Sequence, residues 1–304
     1  MRLALLLAFV TSGFASADTG IAGAEAAIQI DIFIVTADRP TADEVLGRLE
    51  GVEIVSGRRA GHAAWSRGHL TGAWDGSVYS IVVAQAGAEK HMTTEKIMQN
   101  AALVWRPRYV LLLGTAPAVA YDEPLGAVGL VTLICGFDLD RYQKSQDTGR
   151  CHRADGGLFA AALSIADDWE AAAKKETSRA GCSPARVLKL ITLSGTREHG
   201  QGFVAVATEL SEDLHRGLIM ERDGIYVARA VQRTRYEMKE SIGFLMIRGV
   251  SEVRRPDTWR EAKPGAALSE QQRLQESCAA RDTANFTVEL IRNRWPVSPR
   301  TLAP

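Results

Sequence analysis

The sequence predicts an α/β protein, a three-layer α/β/α sandwich around a central mixed, mostly parallel sheet. Three observations carry this. Nearly continuous apolar runs at Ile28–Val35, Val78–Ala84, Tyr109–Leu113 and Val187–Leu193 read as strands buried on both faces. Segments of helical spacing alternate with them, as Met92–Val104 does between the second and third runs. A chain of 304 residues that is 46 % hydrophobic can bury one large core, so one domain is preferred to two.

The first residues read as an address label. Arg2 is a short positive start, Leu3–Val10 an apolar stretch, and Ala15-Ser16-Ala17 fits a small-residue cleavage pattern. Polar Thr11 and Ser12 end the run well short of the about 20 apolar residues that a membrane span needs. The expected organisation is therefore a secretory signal at residues 1–17, a linker at 18–27, the domain at 28–295 and a tail at 296–304. Cleavage would give an exported protein, periplasmic or secreted, without stable membrane insertion; an uncleaved segment would leave it cytoplasmic.

The opening strand ends in the turn-like Thr36–Pro40, and a helix Thr41–Leu49 is expected next, with Thr41 as cap and Glu44 in the capping-box position. Leu125–Ile134 extends the sheet, and Asp138–Asp155 reads as an irregular exposed loop. Gly156–Lys175 repeats Leu158, Ala161, Ala162, Ile165 and Trp169 at helical intervals and predicts a single helix. Phe203–Leu214 is expected to be helical, Leu218–Met220 a short strand, Asp223–Met238 a helix and Ile242–Ile247 a strand. A closing helix runs from about Gly265 to Arg292, before Pro296. In such a fold the ligand sits on loops at strand ends, here those after Val35, Ala84, Leu113, Leu193 and Ile247.

Charge and cysteines narrow the function. The 36 basic residues balance 36 acidic ones, so no global field attracts nucleic acid or an anionic membrane. Arg254, Arg255, Arg260, Arg292, Arg294 and Arg300 alternate with acids and read as a solvated face, not a phosphate track. The four cysteines lack a CxxC pair or zinc-type spacing, and no metal or cofactor is expected. In an oxidising compartment Cys151 and Cys182 are the candidate pair, since both lie in polar sequence flanking one helix. Cys135, within apolar LVTLICGF, reads as a small core residue. The histidines have no HExxH spacing; only His199 lies in a candidate ligand loop.

Five stretches carry the candidate chemistry: DIFIVTADRPTADEVLGRLE, VVAQAGAEKHMTTEKIMQNAALVWRPRYVLLLGTAPAV, LITLSGTREHGQGFV, Ile219-Met220-Glu221 and FLMIRGVSEV. Their order, from Asp31 to about Leu290, resembles that of the nucleoside phosphorylase superfamily, closest to its methylthioadenosine/S-adenosylhomocysteine nucleosidase-like branch. Pro264–Ala267, preceded by Trp259-Arg260, resembles the start of that family's closing helix.

The resemblance implies a purine nucleoside N-glycosidase with a phosphorylase-like fold and a small-molecule nucleoside as partner. Glu252 would protonate the base as the bond breaks, and Glu44 would orient the attacking water. Glu221 would accept hydrogen bonds from sugar hydroxyls beside Met220, and Ser251 would close the strand before Glu252. Gly87 and Thr115 would border the ribose, while Ser194, Gly195 and Phe203 would contact the purine. A homodimer is also implied.

Two alternatives stay open. The chain departs from the family at Pro117-Ala118, where two glycines are usual, at Ile219, where a glutamate is frequent, and at Glu252, where the family has aspartate. Displacing an acid by about 1 Å can cost ~100-fold in rate, so a noncatalytic nucleoside-binding or storage-type member of the same fold is one alternative. Glu44 read simply as a capping residue, and Glu221 as a first-turn acid stabilising a helix, agree with it. The other is a phosphate-dependent phosphorylase, which requires a cationic pocket. Leu111, Leu112 and Leu113 before Gly114 supply none, leaving Arg39 as the cation near the opening turn.

Overall fold

Strand β1 (Ile32–Thr36) lies in the middle of the sheet, and its alternating residues feed two apolar layers. Phe33 and Val35 enter one, Ile32 and Ile34 the other. This coordinate set is a computed structural model, which describes residues 28–55, 65–86, 94–119, 125–136, 151–176, 181–183, 186–194, 207–208, 217–254 and 269–296. Among these, β2 (Glu50–Val55), β3 (Trp65–Thr71) and β4 (Val78–Gln85) build one side of the sheet, and β5 (Tyr109–Ala118) the other. β4 and β5 flank β1 in parallel, while β3 and β2 add outside β4 as an antiparallel hairpin.

Beyond β5 the sheet curls. β6 (Val128–Gly136) pairs in parallel with β8 (Val187–Ser194), which pairs in parallel with β9 (Gly217–Glu221). β10 (Gly243–Val253) lies parallel to β5 and antiparallel to β6. β9 returns to β5 where Ile219 meets Ala118, so β5, β10, β6, β8 and β9 close a ring. The short β7 (Cys151–Arg153) pairs with the second half of β6.

Helices cover both faces, giving the expected three layers. α2 (Thr94–Trp105) and α5 (Gly224–Met238) pack on the layer holding Phe33, Trp65 and Phe244. α1 (Arg39–Leu46), α3 (Gly156–Ser164), α4 (Ala166–Glu176) and α6 (Glu270–Arg294) pack on the layer holding Leu111, Ile247 and Phe286. α6 approaches β10 closely because position 249 is glycine: a Cβ there would stand 2.4 Å from the Ala279 carbonyl oxygen.

Several expectations are corrected. Asp38, not Thr41, caps α1: its carboxylate accepts from Thr41 N at 2.8 Å, and Pro40 lies in the first turn, where its missing N–H costs nothing. The single helix Gly156–Lys175 is two, separated at Ile165. β10 runs on to Val253. The β2–β3 hairpin escaped notice because every residue of β2 except Val55 is exposed, so apolar alternation is missing. The cysteines pair as Cys135–Cys151 and Cys182–Cys278, not Cys151–Cys182. Cys135 and Cys151 stand directly opposite on β6 and β7, a partner strand that the polar loop sequence hid. The expected signal segment and linker, most of the Phe203–Leu214 helix and the start of the closing helix lie outside the described residues.

Candidate functional site

The end of β9, the middle of β10 and of β5, and the turn after β1 bring together Glu221, Arg248, Gly114, Thr115 and Asp38. Glu221 closes β9 opposite Ser194 on β8, and the two side chains receive the start of α5. Glu221 Oε2 accepts from Asp223 N at 2.7 Å and Gly224 N at 2.8 Å, while Ser194 Oγ accepts from Ile225 N at 2.9 Å. These are the N–H groups a helix start leaves without internal partners, and a carboxylate there meets the positive end of the helix dipole. Gly224 permits the approach: a Cβ would lie 2.7 Å from Glu221 Oε1.

Arg248, fully buried in β10, completes the cluster. Its Nη2 donates to Glu221 Oε2 at 2.8 Å and its Nη1 to the Leu113 carbonyl at 3.0 Å, while its Nε has no partner among the described residues. Among the described residues, Glu221 Oε2 is thus occupied by three donors, whereas Oε1 accepts only the second, 3.0 Å branch of the Gly224 N–H. That oxygen can accept a further donor, such as a hydroxyl.

Across Gly114 lies Asp38. A Cβ on Gly114 would stand 2.3 Å from Arg248 Nη1 and 2.9 Å from Asp38 Oδ2, and its φ of +150° also selects glycine. Asp38 Oδ2 accepts from Thr115 N at 2.7 Å and Thr115 Oγ1 at 3.3 Å. From α6, Glu276 senses this carboxylate: burial, and then the charge of Asp38, raise the pKa of the Glu276 carboxyl.

The structure separates the sequence-derived candidates. Glu221, Ser194 and Thr115 share this cluster. Met220 points into a small buried cluster with Val119, Leu193 and Leu218. Ser251 is the extra residue of a bulge where β10 shifts register against β5, opposite Pro117, which has no N–H to give the ladder. Bulges re-aim side chains, and beyond this one Glu252 pairs with Arg254 at 3.2 Å with its side chain 43 % exposed. Glu44 stands apart, bonded to Arg48, whose guanidinium also reaches Asn285 on α6. Gly87, Gly195, Phe203 and His199 lie outside the described residues. Arg39 is a surface residue paired with Asp43 at 3.5 Å. A cavity of about 220 Å³ between α4 and α6, floored by Trp169, touches none of the clustered residues.

Sequence reasoning missed Arg248, Asp38 and Glu276. A lone arginine within apolar FLMIRGV was a visible signal, since a buried cation requires a partner. So was aspartate directly before Arg-Pro, a helix-start pattern.

No protein-family model and no curated relative matches the chain. Solved structures do match in fold. The 5′-methylthioadenosine/S-adenosylhomocysteine nucleosidase of Neisseria meningitidis, in complex with methylthio-immucillin-A, is 18 % identical with a TM-score of 0.60, over 86 % of this chain and 98 % of that one. The Streptococcus pneumoniae MTA/SAH nucleosidase, in complex with 8-aminoadenine, is 14 % identical with a TM-score of 0.63, over 86 % and 99 %. Futalosine hydrolase of Helicobacter pylori is 15 % identical with a TM-score of 0.60, over 87 % and 97 %. With its ring of strands and flanking helices, the chain shares the fold of these nucleosidases and of futalosine hydrolase.

Proposed function

We propose that this chain hydrolyses the N-ribosidic bond of a purine nucleoside. The observation that carries the reading is the buried Glu221–Arg248 pair, which leaves Glu221 Oε1 able to accept a sugar hydroxyl. In this mechanism Glu252 donates a proton to the departing base, and the bond's electron pair leaves with it. Water then adds to the anomeric carbon and yields its proton to a carboxylate. The likeness to nucleosidases and to futalosine hydrolase supports the bond type. The N-terminal address pattern and the two disulfides support an exported enzyme.

The purified mature chain is incubated with methylthioadenosine, S-adenosylhomocysteine, adenosine and inosine, with and without phosphate, and free base is followed by chromatography. Base release independent of phosphate, and lost in Glu252→Gln, is the expected result. Release of ribose 1-phosphate would make the chain a phosphorylase. A second reading, a noncatalytic nucleoside binder, is favoured by one observation: Glu252 is half exposed and engaged by Arg254. Nucleoside binding without base release would select it.

A further inference from the structure

We propose that Asp38, rather than Glu44, is the carboxylate that orients the attacking water and takes its proton; the inference rests on the hydrolase reading above. Water attack at a sugar held by Glu221 requires a carboxylate in the same cluster. Glu44 faces the end of α1, where Arg48 engages it and is itself held by Asn285. Asp38 sits at the turn between β1 and α1, on Thr115 N and across Gly114 from the guanidinium that grips Glu221. Asp38, Gly114, Arg248 and Glu221 therefore form one continuous line through the site.

Three details mark Asp38 as more than a helix cap. Among the described residues its Oδ1 accepts only from Thr41 N, which leaves that oxygen a lone pair for a water proton. Two fully buried polar atoms, Thr41 Oγ1 on α1 and Arg248 Nε within the cluster, have no partner among the described residues, and a buried polar atom ordinarily takes one from protein or ordered water. Finally, burial, and then the charge of Asp38, raise the pKa of the Glu276 carboxyl on α6, so a second acidic group senses Asp38.

The step balances without a further reactant. A bond forms from the water oxygen to the anomeric carbon as the carbon–nitrogen bond breaks, its electron pair leaving with the base. One water proton passes to Asp38, and the base receives its proton from Glu252.

The test measures kcat, KM and melting temperature for the full disulfide-bonded chain, using whichever of the four nucleosides releases base fastest. Asp38→Asn, Asp38→Ser and Glu44→Gln are compared. Both Asp38 variants are expected to lose roughly 100-fold or more in kcat. Serine can still cap α1, so Asp38→Ser should melt close to the unaltered chain, and added formate should restore part of its rate. Glu44→Gln should lose less than either. Asp38 variants that keep their rate, a larger loss in Glu44→Gln, or failure of formate to restore Asp38→Ser would each overturn the assignment while leaving a hydrolase. No base release from the unaltered chain would overturn both.

Discussion

Glu221 and Arg248 form an ion pair at 2.8 Å in which the arginine is wholly buried and the glutamate nearly so. The same carboxylate caps α5, so one side chain links helix placement, charge neutralisation and the proposed sugar contact. Removing one member of a buried pair strands the other, at a cost of about 3–5 kcal/mol. Arg248→Met is expected to lose stability on that scale in urea unfolding, and to lose nucleoside binding with it. An unchanged unfolding midpoint would mean that Glu221 does not depend on Arg248.

Gly114 is the gap through which Asp38 and Arg248 approach one another. Gly114→Ala adds a Cβ 2.3 Å from Arg248 Nη1 at a φ of +150°, so the backbone and the guanidinium must both yield. Base release should fall at least tenfold, while Gly76→Ala, where a Cβ meets nothing within 4 Å, should affect stability alone, through its positive φ. Steady-state rates for the two variants check this.

Glu276 ties stability to pH. Its folded pKa lies above the ordinary value, first through burial and then through the charge of Asp38. Its contribution to stability is therefore fully present below the ordinary carboxylate pKa and is lost as pH rises through the raised value. Glu276→Gln should stabilise the protein at neutral pH, and this gain should vanish on acidification through the carboxylate range. Melting curves of the two proteins between pH 4 and 8 (roughly the span over which such a group titrates) would show the crossover; a pH-independent difference would refute the linkage.

The two disulfides should differ in worth. Cys182–Cys278 joins residues 96 apart and anchors the first half of α6, whereas Cys135–Cys151 spans 16 residues and joins β6 to β7. On loop entropy alone these correspond to roughly 4.7 and 3 kcal/mol. Replacing both cysteines of the first pair by serine should therefore lower the urea midpoint more than replacing both of the second. The reverse order would mean that native packing, not chain entropy, sets their contribution.

The sequence by itself determined the layers and most of the strands. β1, β4, β5 and β8 are buried on both faces, and their unbroken apolar runs are a local signal that needs no partner to be read. Motif order also located Glu221 and Ser194, because both end strands in sequence that changes character there. What it could not determine were relations across the fold. β2 and β7 take their strand form from neighbours, not from an apolar pattern, and the cysteine partners follow from which strands and loops come to face each other. Likewise a carboxylate's role depends on what surrounds it. Glu44 and Asp38 belong to one short helix and its cap, and local i, i+4 spacing already lets Arg48 reach the first, yet only the tertiary structure sets the second against Thr115, across Gly114 from Arg248. Spacing along a chain records which face a residue takes; which charges and hydrogen-bond donors meet that face is decided by packing between distant segments.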